Sequence, residues 1–404
     1  MKRMGLAELV HPLSPDAFMA NYWQKKPYVG HGSPDRFEEI VRIPELRSIN
    51  AILEAWRGQT DVWAPRGTGN PVITAEAHQL PDFFESGYTI YLSRVEQHVP
   101  ALEPLARSME LDLGLRIGDI YFEAFVSQGA GSTVHFDPNV TINIQLIGRK
   151  RWWMAANKHV VDPHVGWSVG AEVDEEMGTY ARQPFPTRMP RGAASFEARA
   201  GTLVYLHPGY WHSTVNQEPS LSLLYTINPP TWTDLLVEEI RRHLHRGSES
   251  RQLAFGLGST ALRDEKRRRV RELIAEISAA TERMDPDILL SKWGGSLTAR
   301  FERNPQVNLR LAAIKPGDKT VTVIARGRRK TERIELPAEA GSVLKWIAAR
   351  TRPFAGHEAA RAIYPSSTER TIEILETLEG AGVLLRTISP EHSGGDQDRR
   401  RSKR

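Results

Sequence analysis

No cysteine occurs among the 404 residues. That absence excludes disulfides, thiolate-bound zinc, iron–sulfur clusters and cysteine nucleophiles, so any metal must take nitrogen or oxygen ligands. Long apolar runs are missing too, and none approaches the ~20 residues that span a bilayer. The start, MKRMGLAELVHPLSPDAF, reaches Pro12 and Asp16 too early for the apolar stretch of a secretory signal. A cytoplasmic chain without membrane contact is expected. Charge of one sign is scarce: 53 basic against 49 acidic residues leave a net +4. The last fourteen residues, EHSGGDQDRRRSKR, hold five basic and three acidic groups and supply +2 of that total. The body is therefore close to neutral, which implies no specific nucleic-acid partner, and residues 389–404 read as a solvated, disordered basic tail.

What is present is an ordinary globular composition, 40% hydrophobic and 25% charged, in a length suited to roughly two to three domains. The first hundred residues read as helices and loops. Ser14-Pro15-Asp16 supplies a cap, a first-turn proline and a first-turn acid, with Phe18 and Tyr22 following at helical spacing. From about 119 to 227 the pattern changes to short strands between Gly, Pro, Asn and Ser clusters: IYFEAFV (120–126), VTINIQLI (140–147), GTLVYL (201–206) and LSLLYTI (221–227). Repeated short strands predict a barrel or sandwich. In 140–147, Thr141, Asn143 and Gln145 alternate with Ile142, Ile144 and Leu146, which implies a polar lumen; the same parity run backward places His135 and Asp137 on that face.

After Trp232 the pattern is helical, with Thr233 or Asp234 capping residues 235–246, and a second helix over about 264–283 carries Val270, Leu273, Ile274 and Ile277 on one face. Residues 236–308 form a helical region suited to homodimerisation. Residues 309–388 read as a separate winged-helix-like unit: the strand TVTVIAR, a turn at Gly327, RIEL, helices over 342–350, 354–363 and 368–379, then Val383-Leu384-Leu385.

One constellation carries chemistry. His135 and Asp137, at i and i+2 on an extended segment, point the same way, and His212 follows the turn Pro208-Gly209-Tyr210-Trp211 at the end of another strand. Two imidazoles and one carboxylate form a facial set that leaves the opposite octahedral positions open, as a non-haem Fe(II) oxygenase requires.

The segments HFDPNVTINIQLIGRKRWW (135–153) and LVYLHPGYWH (203–212) resemble the JmjC/cupin-type 2-oxoglutarate oxygenases, most closely the bacterial ribosomal oxygenase branch. Phe18, Tyr22, Trp23, Lys25, Lys26 and Pro27 resemble that branch's opening, and Trp232 with Asp234 its segment after the last core strand. The resemblance implies an α+β chain: a double-stranded β-helix within an oxygenase domain over 1–235, with N-terminal helices, then the helical region and the winged-helix-like domain. It implies that His135, Asp137 and His212 bind Fe(2+), with 2-oxoglutarate and O2 as cosubstrates, and that Lys150 pairs with the distal carboxylate of 2-oxoglutarate. A carboxylate buried in a barrel requires such a cation. Tyr121, Asn143 and Ser222 are either hydroxyl or amide donors lining the cosubstrate pocket or ordinary hydrogen-bonded barrel residues. The segment 154–200, longer than the family's usual link, is expected to reshape substrate access. By resemblance the reaction is hydroxylation of a protein side chain, Arg or His of a ribosomal protein. The alternatives are the same chemistry on a small molecule, free amino acid or modified RNA base, and a non-catalytic cupin binding module.

Overall fold

A computed structural model of the chain describes residues 4–64, 72–129, 131–293, 299–311, 320–326, 331–338, 340–362 and 368–387. The basic tail and the turn at Gly327 lie outside the described residues. The chain divides into two compact units, with the boundary at Pro229–Pro230; Gly114–Arg116 groups with the second.

The first unit is built on thirteen strands: β1 (Tyr28–Gly30), β2 (Gln59–Trp63), β3 (Val72–Glu76), β4 (Thr89–Ser93), β5 (Ile120–Ser127), β6 (His135–Phe136), β7 (Val140–Ile147), β8 (Arg149–Ala155), β9 (Trp167–Ser168), β10 (Ala194–Arg199), β11 (Leu203–Leu206), β12 (Trp211–Asn216) and β13 (Ser220–Ile227). They form an eight-stranded sheet in the order β1-β11-β7-β13-β5-β4-β2-β3 and a five-stranded sheet in the order β10-β8-β12-β6-β9. Every described pairing within them is antiparallel. Side chains from both sheets line one cavity between them, and the jelly-roll class expected from the sequence is what the strands build. Strand β13, held between β7 and β5, is buried at all eight positions, which explains its near-continuous apolar run.

The opening residues close one edge of the large sheet. Ser14 Oγ accepts from Ala17 N at 3.1 Å, capping the helix Pro15–Asn21 as expected. Its fully buried Phe18 meets Tyr205 of β11 edge-on at 5.0 Å, Trp23 stacks on the same ring at 5.7 Å, and Tyr205 OH accepts from Gln24 N at 2.8 Å. Strand β1, which follows, pairs along the outer edge of β11 and becomes the edge strand of the large sheet.

Three expectations are corrected. The first hundred residues are not only helices and loops, because β1 to β4 lie there and join the large sheet; they are short and half-exposed, which blunts a period-2 signal. His135 and Asp137 do not continue the strand 140–147: Pro138 intervenes, β6 pairs in the small sheet and β7 in the large one. The helix after the core starts at Trp232, with Thr231 as cap and Asp234 at its third position; Thr231 Oγ1 accepts from Asp234 N at 3.1 Å while the Asp234 carboxylate accepts from Thr231 N at 2.9 Å.

The second unit contains helices Trp232–Leu244, Arg263–Thr281 and Pro286–Trp293, followed by β14 (Arg300–Arg303), β15 (Asn308–Leu311), β16 (Thr320–Arg326), β17 (Thr331–Pro337), β18 (Phe354–Ala355) and β19 (Leu384–Thr387) in two three-stranded sheets. Helices Ala340–Ala348, Gly356–Ala362 and Thr368–Gly380 pack with them around Phe301, Val343, Leu344, Ile347, Leu375 and Leu378.

Gly148 is the single residue between β7 and β8, and so carries the chain from the large sheet to the small one. Its φ is +75°, and a Cβ there would lie 2.1 Å from the carbonyl oxygen of Pro219. Gly148→Ala is expected to destabilise the first unit by about 1–3 kcal/mol. Chemical denaturation checks it, and an unchanged midpoint would contradict the account of the turn.

Candidate metal centre and its cavity

Strands β12 and β6 pair at one register position, His212 opposite His135. Because side chains alternate along a strand, their neighbours face the other way. Phe136 and Trp211 enter an apolar cluster with Val160, Trp167, Met177 and Phe185, while His135, Asp137 and His212 face the cavity. Four of the cluster's six buried residues come from segment 154–200, and Ser168 of β9 pairs opposite His135. That segment thus braces the strands that carry the site.

The two imidazole rings lie 4.0 Å apart between centroids. His212 Nε2 is 3.4 Å and His135 Nε2 3.9 Å from the same Asp137 carboxylate oxygen, and one donor atom from each residue lies within 4.8 Å of the others. At the far side of each ring, His135 Nδ1 is 2.8 Å from the Thr133 carbonyl and His212 Nδ1 is 3.0 Å from the Tyr210 carbonyl. A carbonyl oxygen only accepts, so both Nδ1 atoms carry the proton and both Nε2 lone pairs face Asp137. Burial, and next the neighbouring His135, push the His212 imidazolium pKa down to about 4, so His212 is neutral at pH 7, the form that ligates a metal. Trp152 stacks on His212 at 6.0 Å. A neutral, tautomer-fixed histidine pair beside a carboxylate that is 42% exposed suits a divalent ion with open positions.

The cavity measures about 390 Å³. Lys150, from β8, lines it and is only 4% exposed. Among the described residues no carboxylate forms an ion pair with Lys150, and burial alone pushes its pKa down to about 7. Asn143 also lines the cavity, with an Oδ1 that has no partner among the described residues. Of the residues singled out from the sequence, then, His135, Asp137, His212, Lys150 and Asn143 converge. Tyr121 and Ser222 do not. Ser222 Oγ donates to Gln145 Oε1 at 2.9 Å and Gln145 Nε2 donates to the Ile147 carbonyl at 2.7 Å, a buried pair outside the cavity lining. Tyr121 has the Arg94 guanidinium 4.7 Å from its ring and likewise stays outside the lining.

Sequence reasoning missed one wall of the cavity, made by Trp63 of β2, Tyr91 of β4, and Glu123 and Phe125 of β5. An acid in the middle of the apolar strand IYFEAFV was the available signal.

Residues 105–235 match a family model described as the JmjC domain. The matched stretch covers the core strands β5 to β13 of the first unit. The chain is similar to the protein named Uncharacterized protein YxbC of Bacillus subtilis (strain 168), 25% identical over 296 residues, 70% of this chain and 89% of that protein. It is similar to the Bifunctional lysine-specific demethylase and histidyl-hydroxylase NO66 of Drosophila mojavensis, 26% identical over 56% of this chain and 25% of that protein. Ribosomal oxygenase 1 of Danio rerio is 24% identical over 57% of this chain and 42% of that protein. The chain therefore spans less than half the length of these last two relatives. Among solved structures it resembles Escherichia coli ycfD, 15% identical, covering 93% of this chain and 98% of that one with a TM-score of 0.47.

A buried lysine with a lowered pKa opposes folding while it is charged. Between about pH 7 and the 10.5 of a free lysine, the unfolded chain holds the proton that the folded one has lost, so stability rises with pH across that window. Lys150→Met is expected to stabilise the ligand-free protein at pH 7 by about 1–4 kcal/mol, with the gain shrinking toward pH 10.5. Thermal denaturation of both forms across pH checks it; a pH-independent loss of stability would be the contrary result.

Proposed function

We propose that this JmjC oxygenase uses Fe(II) and 2-oxoglutarate to hydroxylate a protein side chain, arginine or histidine of a ribosomal protein. The observation that carries the reading is the meeting of His135, Asp137 and His212 in the same cavity as a deeply buried lysine that no carboxylate pairs among the described residues. In this reading His135 Nε2, Asp137 Oδ2 and His212 Nε2 hold the metal. Iron(II) with 2-oxoglutarate and dioxygen would supply the C–H oxidation there. Lys150 receives the distal carboxylate, regaining its proton as the anion arrives. Asn143 orients the same ligand through its amide. The Thr133 and Tyr210 carbonyls keep both imidazoles in the ligating tautomer.

A second groove, which shares Asp137 and Ser168 with the cavity lining, runs along Val165–Glu175 and carries Glu172, Asp174 and Glu175. An open acidic groove suits an extended basic chain better than a small metabolite, which favours a protein substrate. On the second unit, the exposed Leu236, Val237, Val270 and Ile274 support self-association of the helical region.

Mass spectrometry of ribosomal proteins from cells with and without this gene tests the reading. The expected result is one residue that gains an oxygen only when the gene is present, and reverts when His135→Ala replaces the wild type. Succinate formed from a small molecule, with ribosomal proteins unchanged, would move the assignment to the small-molecule hydroxylase. Failure of anaerobic Fe(II) or Mn(II) to bind would leave a non-catalytic binding module.

A further inference from the structure

One wall of the cavity is made by strands β2, β4 and β5. Trp63, Tyr91 and Phe125 lie there as a cluster, with ring centroids 5.7 Å apart for Trp63 and Tyr91, 5.2 Å for Tyr91 and Phe125, and 5.4 Å for Trp63 and Phe125. Trp63 and Tyr91 are nearly parallel, at 17°. Glu123 stands beside them, two residues before Phe125 and on the same face of β5.

Glu123 is 9% exposed and lines the cavity. Its Oε2 accepts from Thr226 Oγ1 at 2.7 Å, and its Oε1 accepts from the Tyr91 hydroxyl. A carboxylate offers about four acceptor positions, so two neutral donors leave it half-satisfied. Among the described residues no lysine or arginine forms an ion pair with it. Burial raises its pKa, and the nearby Asp137 and Glu96 raise it further against the pull of the two hydroxyls. An acid held this way in a low-dielectric wall is short of one thing, a cation. The aromatic faces around it attract the same kind of charge, and a guanidinium best of all, because it stacks flat and presents a fork of donors to a carboxylate.

We propose that Glu123, with Trp63, Tyr91 and Phe125, forms a subsite that binds a cationic side chain, a guanidinium by preference, and so sets the substrate class of this oxygenase. The cavity is then divided by charge. Lys150, whose Nζ lies 5.8 Å from the centroid of Phe125, answers an acid, and Glu123, which lines the same cavity, answers a base. The role as a substrate subsite rests on the oxygenase reading, whereas the cation preference itself does not.

Calorimetry on the full chain with Mn(II) bound tests it, using N-acetylarginine amide against N-acetylcitrulline amide, its uncharged isostere. Wild type is expected to bind the arginine probe at least about tenfold more tightly. Glu123→Gln is expected to erase that preference while still binding 2-oxoglutarate. Should Glu123→Gln fail to fold, Trp63→Leu, outside the hydrogen-bonded network, is expected to cut the preference several-fold. Equal binding of the two probes by wild type, or an unchanged preference in either variant, overturns the proposal. Tighter binding of N-acetylhistidine amide than of the arginine probe overturns the guanidinium assignment. Failure of wild type to bind 2-oxoglutarate, with the arginine preference intact, sinks the oxygenase reading alone.

Discussion

One strand pairing governs the site: His212 of β12 opposite His135 of β6. With a side-chain period of two, a slip of one residue on either strand would turn its imidazole out and bring Trp211 or Phe136 into the cavity. What prevents the slip is apolar. Phe136 and Trp211 meet edge-on at 4.9 Å, and Trp167 and Phe185 pack against Trp211 at 5.8 and 6.0 Å. The ligand face is therefore positioned by the packing on the reverse face, and the carbonyls of Thr133 and Tyr210, each two residues before its histidine, then fix the rings. The chain's own packing and hydrogen bonds thus set the shape of the triad.

The second constraint is electrostatic. Folding encloses Lys150 and Glu123 in one cavity without pairing them among the described residues, although each would be stabilised by an opposite charge. The lysine Nζ lies 5.8 Å from the ring centroid of Phe125, and the hydroxyls of Tyr91 and Thr226 hold the acid on the large sheet. Burial of these two charges is an unfavourable desolvation that ligands of opposite charge would relieve. A fold selected for stability alone would have placed apolar residues at both positions.

Local chemistry made much of this readable in the chain. HxD, the lysine after Gly148 and the histidine after the Pro-Gly turn announced the triad and Lys150, because extended segments place i and i+2 together whatever the surrounding fold. The four expected core strands appear within two residues of their bounds. Long-range pairing was less legible. The parity that seemed to extend from Thr141 back to His135 breaks at Pro138, and the two segments reach one cavity from opposite sheets. Ser222 and Gln145 have the polarity of lumen residues yet satisfy each other, which no single strand reveals. Strands β2 and β4 were hidden because pairing within the sheet, and not a strong period, makes them strands, and with them went Trp63 and Tyr91.

This pattern of what was and was not legible follows from how the cavity is assembled. The groups proposed to hold metal and cosubstrate come from β6 and the residue after it, β7, β8 and β12, short runs whose spacing is set by turns such as Gly148 and Pro208-Gly209. Groups facing them come from β2, β4 and β5, brought together by cross-strand registers such as Tyr91 opposite Phe125 and Trp63 opposite Thr89. Turn chemistry tightly constrains the first set, since moving a ligand by one residue reverses its direction. Substitution at a register position, by contrast, changes what the wall presents without disturbing the ladder that supports it. Reaction type and substrate class can consequently diverge independently on this scaffold, and a reading of motifs alone will recover the first far more readily than the second.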